Sequence, residues 1–319
     1  MQHYCTYFDI NYIYKGLALY RSLERYSGQF TLWILCFDSK TYQILAALNL
    51  VNARLISREE FDGKDSELIA AQKDRTLIEY YWTCTSSLPL YIFKKHSEIE
   101  SLCYLDADIF FFSDPRPIFD ALGQESIFIV PHDYDEKIFT RSRPAGLFNV
   151  GVVVFRHNET GLQCLRRWRT QCLGWCKHES EDGKFGDQGY LNDWPDQFRG
   201  VVVSTHPGIH AGPWNIGKYH LEFNNGNHLL LDGERLTCFH FHALKMICRN
   251  VALNPEGHVF MTRKISEHIY RPYILALGES LKQLRIAGHC VSLKLDFPIF
   301  SFLAKRFIRG TWSANVIHV

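Results

Sequence analysis

The chain has 319 residues, enough for one large domain or two small ones with a sizeable buried core. Its 35 basic and 34 acidic side chains nearly cancel, which excludes the strongly basic field of a nucleic-acid binder. No stretch approaches the ~18 consecutive apolar residues of a membrane span. The opening MQHYCTYFDI is too polar and too short for a signal peptide, so a cytoplasmic chain is expected. Ten cysteines stand singly in apolar or mixed contexts such as WILCF and SLCYL, the usage of buried free thiols in a reducing compartment. In CLGWCKH, Cys172 and Cys176 are four apart with no second pair following, too few ligands for a structural zinc.

Short apolar runs alternate with helix-period segments over the first two-thirds. Residues 3–8 (HYCTYF) read as a strand, and from Tyr12 the spacing of Ile13, Leu17, Tyr20 and Leu23 predicts a helix. Residues 30–37 (FTLWILCF) are the next strand, 39–48 a helix, and 52–56 (NARLI) a short strand. A polar, mostly helical stretch runs to His96. Three buried strands follow: SLCYLD, SIFIVP and VGVVVF. After HNET, with Asn158 as cap, a helix is expected to turn Leu162, Leu165, Trp168 and Cys172 inward. Strand–helix alternation with fully apolar strands predicts an α/β domain with a mostly parallel sheet and helices on both faces. Ligands of such sheets sit beyond the carboxyl ends of the strands. Beyond about Asn250 the pattern turns helical, over 263–284 and again over 297–310 (FPIFSFLAKRFIRG). The predicted organisation is an α/β domain over 1–250 and a helical extension over 251–319.

Two carboxylates one residue apart, Asp106 and Asp108, leave the run SLCYL and are followed by Phe110, Phe111 and Phe112. Like charges that close repel unless water or a cation lies between them. Alternate residues of an extended segment point the same way, so both can face one hard divalent ion, which bridges readily to a diphosphate. Turn capping before SDPRP would account for the same pair. Three further segments set polar residues beside apolar runs. They are Asn149 ahead of a strand in FNVGVVVF, Asp187-Gln188 at a helix start in GDQGYLN, and His240 with His242 at the end of a short strand in FHFHALK.

Taken in order, these motifs resemble those of retaining glycosyltransferases with the GT-A fold. That group, family 8-like, contains glycogenins and bacterial lipopolysaccharide galactosyltransferases and glucosyltransferases. The likeness runs from about His3 to Lys245. YFDINYIYKGLALYRSL resembles the opening strand, nucleotide loop and first helix, and YLDADIFFFSDPRPIF the metal-binding strand end. FNVGVVVF resembles the FNxG strand, DQGYLN the DQxxLN motif, and FHFHALK the closing motif, where the family usually has glycine in place of Ala243. The resemblance implies a Rossmann-like nucleotide-diphospho-sugar transferase fold and a hexose transfer from a UDP-sugar to a glycan or glycolipid hydroxyl, as in lipopolysaccharide biosynthesis. It implies Mn²⁺ or Mg²⁺ held by Asp106, Asp108 and His240, the imidazole favouring manganese. Thr6, Asp9 and Asn11 would meet the nucleoside, and Lys245 the leaving diphosphate. Asn149 and Asp187 would hold donor-sugar hydroxyls, with Gln188 on the face of the anomeric carbon opposite the leaving group. The family's donor-pinning arginine has no counterpart in YYWTCTSSLPLYIF; Lys73 and Arg75 are the nearest basic residues.

Such a reaction passes through an oxocarbenium-like state, with negative charge on the departing oxygens and positive charge on the ring. A cation stabilises the first and amide or carboxylate dipoles the second. With Gln188 at the key position no strong nucleophile is supplied, which favours front-side displacement with retention. An inverting enzyme would need a carboxylate base such as Asp187. A metal-dependent nucleotidyltransferase would want a Gly-rich basic loop after the first strand, which TYFDINYIYKG lacks. A non-catalytic glycan- or nucleotide-binding module would bind without turnover. In HPGIHAGPWNIGKYH, Trp214 suits stacking on a sugar and Asn215 suits its hydroxyls, the alternative being a loop-anchoring tryptophan. Phe300, Phe302 and Phe307 with Lys305, Arg306 and Arg309 would let the tail lie on an anionic membrane face, pack on the domain, or join a second copy in a homodimer.

Overall fold

The computed structural model describes residues 1–136, 146–181, 183–226, 228–248, 251–253, 261–291, 293 and 316–318. The chain opens with β1 (Gln2–Phe8), α1 (Ile13–Tyr26), β2 (Phe30–Cys36), α2 (Ser39–Leu48) and β3 (Ala53–Ser57). Strands β1, β2 and β3 run parallel in sequence order. Helix α2 starts where the Asp38 carboxylate accepts from the Thr41 N–H and stops at Asn49 in the left-handed region, φ 47°. Four helices follow: α3 (Arg58–Asp62), α4 (Ser66–Gln72), α5 (Leu77–Thr85) and α6 (Ser87–Lys95). A reciprocal Thr76–Glu79 capping box opens α5.

The chain then returns to the other side of β1 as β4 (Ser101–Leu105), parallel to it. After β5 (Ile109–Phe111), α7 (Arg116–Leu122) and β6 (Ile127–Pro131) comes β7 (Phe148–Arg156), which lies antiparallel between β4 and β6. Helix α8 (Glu159–Gly174) begins with the Asn158 side chain accepting from the Gly161 N–H, and the hairpin β8 (Ser180–Glu181) and β9 (Lys184–Phe185) leads to a 3₁₀ turn at Gln188–Asp193. Short α9 (Trp194–Gln197) precedes edge strand β10 (Val201–Val203), completing a seven-stranded sheet in the order β10-β6-β7-β4-β1-β2-β3. All its pairings are parallel except those of β7. The strand order reverses between β1 and β4, and the crevice outside the carboxyl ends at such a reversal is where these sheets bind ligands.

Alternation along the strands separates two cores. Tyr4, Leu32, Ile34 and Cys103 face one side with α1, whereas Cys5, Leu35, Leu102 and Tyr104 face the other with α5, α6 and α8. After α10 (Pro207–His210) and a small sheet of β11 (Leu221–Phe223), β12 (Leu229–Leu231) and β13 (Glu234–Arg235), β14 (Cys238–His240) pairs antiparallel with β5 and sets His240 opposite Ile109. Next come β15 (Lys245–Cys248) and β16 (Val251–Leu253). Helix α11 (Arg263–Ile265) then passes through a π-turn at Ser266–Tyr270 into α12 (Arg271–Ile286). Tyr273 of α12 stacks on Phe241 at 3.9 Å and touches Phe110 at 5.4 Å. Helix α12 thus braces β5 and the residue that follows β14, the two segments that border the paired aspartates. Eight of the ten cysteines are buried, Cys248 and Cys290 are exposed, and all are free thiols. The tail segment 297–310, with Phe300, Phe302, Lys305, Arg306, Phe307 and Arg309, lies outside the described residues. Among the described residues no helix is long and apolar enough to cross a membrane.

Candidate active site

A cleft of about 780 Å³ opens at the carboxyl ends of β1 and β4, with Asp9, Asn11, Asp106, Asp108, His240 and Lys245 on its walls. The two aspartates converge through a turn rather than along an extended strand, because the Ile109 N–H closes on the Asp106 carbonyl at 3.1 Å. One oxygen from each and a ring nitrogen of His240 all lie within 4.8 Å of one another. His240 Nε2 is 3.1 Å from Asp108 Oδ1 and 3.6 Å from Asp106 Oδ2. Two carboxylates and one imidazole suit a divalent ion of the manganese or magnesium kind, and the donor set is grouped tightly enough to hold one. Among the described residues no other set of three such ligand groups meets that spacing.

Charge in this corner is balanced by a side chain the motifs did not reveal. Lys15 of α1, itself buried, places Nζ 3.3 Å from Asp108 Oδ2 and 4.4 Å from the centre of the Tyr12 ring. Burial pushes the Asp108 carboxyl up, but Lys15 and His240 outweigh it and hold Asp108 well below the usual carboxylate range. Asp106 moves the other way: burial raises it, His240 opposes, and Asp108 adds to the rise. The two acids therefore differ in character, Asp108 being the firmly ionised one. A signal for Lys15 was present, since it is the one charge in IYKGLALY, a helical run apolar on every side. Arg75, by contrast, donates to the Leu173 carbonyl and to Asp74.

The loop that follows β1 is preset. Both oxygens of Asp9 accept from Asn11, the Ile10 N–H donates to Asp38, and Tyr81, stacked on Phe37 at 4.0 Å, donates to Asp9. Thr6 is different from the sequence expectation: it is fully buried in β1, and the neighbouring Tyr7 and Phe8 reach the cleft instead. His242 sits exposed on a turn, its ring 5.8 Å from that of His240. Ala243 follows with φ 59°, the left-handed conformation that glycine tolerates best.

Asn149, Asp187, Gln188, Trp214 and Asn215 do not line this cleft. Asn149 lies within β7, buried, its amide shared among His132, His240 and the Gly151 N–H. Asp187 is buried with one oxygen unpartnered; burial pushes its carboxyl up to about 7, with a Thr85 hydrogen bond pulling down and Asp106 pushing further up. Gln188 begins the 3₁₀ turn beside it, half-buried. Trp214 is buried and meets the rings of His132 at 5.1 Å and His240 at 5.3 Å edge-on, so it walls the histidines rather than offering an open stacking face. Asn215 is fully buried. Its Oδ1 accepts from Gly212, and its Nδ2 donates to the carbonyls of His132 and His210, which commits it to loop anchoring in place of the expected sugar contact.

Protein YfnF of Bacillus subtilis (strain 168), described as uncharacterized, is 31% identical over 253 residues, 77% of this chain and 83% of YfnF. The chain belongs to the YfnF family. YfnD of the same organism, also described as uncharacterized, is 28% identical over 320 residues, covering 97% of both chains. No family model matches. Among solved structures, galactosyltransferase LgtC in complex with donor and acceptor sugar analogs superposes with a TM-score of 0.55 at 15% identity, covering 87% of this chain and 96% of that one. A second LgtC structure, of an active-site Gln→Glu mutant, gives the same TM-score at 13% identity. The fold of this YfnF-family chain is therefore GT-A, with the cation-suited triad at its switch point.

Proposed function

We propose that this chain is a metal-dependent glycosyltransferase moving a hexose from a nucleotide diphosphate sugar, UDP-linked, to a hydroxyl of a glycan or glycolipid, with retention. The observation that carries the reading is the Asp106–Asp108–His240 triad at the reversal of a GT-A sheet, in one cleft with Asp9, Asn11 and Lys245. Mn²⁺ or Mg²⁺ held there would supply Lewis acidity toward the donor diphosphate. The chain's own groups do the rest. Asp9 and Asn11, fixed by Asp38 and Tyr81, orient the nucleoside end. Lys245 presents positive charge to the departing oxygens. Asp187, its carboxyl raised to about 7 by burial, stands outside the cleft, so its contact with a donor-sugar hydroxyl rests on the family resemblance alone. By the same resemblance Gln188 beside it would offer an amide dipole to the developing ring charge. Retention is supported by the family resemblance and by the absence of any carboxylate nucleophile from the Gln188 position.

An inverting enzyme is the second reading, favoured by one observation: a carboxyl near pH 7, as in Asp187, suits a general base. Hydrolysis of UDP-sugars without acceptor, with and without Mn²⁺, tests the enzyme class. Turnover that requires metal and disappears in Asp108→Ala is expected. Nucleotide binding with no turnover at all sinks it in favour of a binding module. Anomeric NMR of the released sugar decides stereochemistry, and an inverted product removes Gln188 from its role.

A further inference from the structure

Behind the triad lies a row of polar groups in which every donor and acceptor is determined. The Gly151 N–H donates to Asn149 Oδ1 at 2.9 Å, so the amide cannot be turned round without setting two donors face to face. Asn149 Nδ2 must then donate toward His132 Nε2, 3.3 Å away, and that nitrogen must carry a lone pair. The other ring nitrogen of His132, Nδ1, faces the Gly146 carbonyl at 3.0 Å and must carry the proton. His132 is buried, which lowers its pKa to about 3 and keeps the ring neutral, as this pattern requires. At the far end Asn149 Oδ1 can only accept, so His240 Nδ1, 3.0 Å from it, must be the donor. That leaves His240 Nε2, the atom turned toward Asp106 and Asp108, as the nitrogen that meets the carboxylates and any cation they hold.

We propose that His132 and Asn149 are positioning residues that fix His240 in the Nδ1–H tautomer and aim Nε2 at the carboxylate pair. This rests on the reading of Asp106, Asp108 and His240 as a cation site. Imidazole in water favours the other tautomer, so the row opposes a natural preference, and outer partners of this kind tune ligand basicity and orientation. Gly151 completes the device. A Cβ there would lie 2.5 Å from His240 Nδ1 and 2.6 Å from Asn149 Oδ1, so the glycine admits the ring to its seat. Asn149 is thus engaged with His240 rather than with the sugar hydroxyls that the sequence motif suggested.

The test has two arms on the full chain. In metal-free, ¹⁵N-histidine-labelled protein at pH 7, long-range ¹H–¹⁵N spectra assigned with His132→Phe should show His132 with a protonated Nδ1 and a bare Nε2. A protonated Nε2 on His132 reverses the row and overturns the proposal. This arm needs no variant to retain function. In the second arm, Mn²⁺ alone is titrated and free Mn²⁺ is read by electron paramagnetic resonance. Asp108→Asn should abolish binding, whereas Asn149→Leu, His132→Phe and Gly151→Ala, each checked for folding by circular dichroism, should bind roughly 10–100-fold more weakly. Folded Asn149→Leu and His132→Phe proteins with wild-type affinity overturn the proposal. Wild-type protein that binds no Mn²⁺ while His132 shows the protonated Nδ1 defeats the cation reading and leaves the row standing.

Discussion

Replacing Lys15 with methionine keeps most of the length of the side chain and deletes its charge. Nζ lies 3.3 Å from Asp108 Oδ2, and the two side chains are only 2% and 11% exposed. At an effective dielectric of about 20 the attraction across that distance is about 5 kcal/mol. Withdrawal from water cancels part of it, yet deleting one partner of a buried pair ordinarily costs about 3–5 kcal/mol, because the other charge is stranded. K15M should therefore reduce the unfolding free energy of metal-free protein at pH 7 by about 3 kcal/mol, read as a lower urea midpoint at constant slope. The double variant K15M/D108N strands no charge and should recover most of the loss. In the wild type Asp108 is held below its ordinary range, so its contribution is present at neutral pH and fades as pH falls. In K15M the stranded carboxylate is relieved by a proton, so the gap between the two proteins should narrow from pH 7 toward pH 4. A wild-type midpoint for K15M at pH 7, or a gap that widens on acidification, refutes the reasoning.

Three other outcomes follow from the same structure. Asp187, raised to about 7, contributes fully below its unfolded pKa near 4 and loses that contribution as pH climbs through 7. Asp187→Asn should flatten the decline in melting temperature between pH 5 and 8, and an unchanged slope counts against the assignment. Ala243 stands at φ 59°, so Ala243→Gly should stabilise the protein by about 1 kcal/mol in the same urea assay; no gain means the turn carries no strain. Mn²⁺ at 100 times its dissociation constant should stabilise the protein by about 2.7 kcal/mol, reversibly with a chelator and not in Asp108→Asn. A rise of equal size in that variant would place the ion elsewhere.

Much of the scaffold was legible because it is local. Apolar runs of five to nine residues became β1 to β4, β6 and β7, and the cap at Asn158 was written beside its helix. The aspartate pair and His240 were found because each breaks an apolar run. The direction of β7 was not legible, since a fully apolar strand reads the same whether it runs parallel or antiparallel. Lys15 and His132 were missed for a different reason. Each acquires its meaning from a partner far along the chain, Asp108 at 93 positions and Asn149 at 17, and neither carries a local anomaly beyond a polar residue in apolar company. Asn149 and Asn215 were found but misread: an asparagine's sequence context shows that it is out of place, not which way its amide is spent.

The cation corner is stitched from distant points of the chain: Lys15 near the start, Asp106 and Asp108 a third of the way along, Asn149 midway, and His240 on a three-residue strand held by β5. A nascent polypeptide emerging from the ribosome therefore lacks the full ligand shell until the stretch bearing His240 has been synthesised and has docked. A cation held in that corner would therefore bind only chains folded through His240.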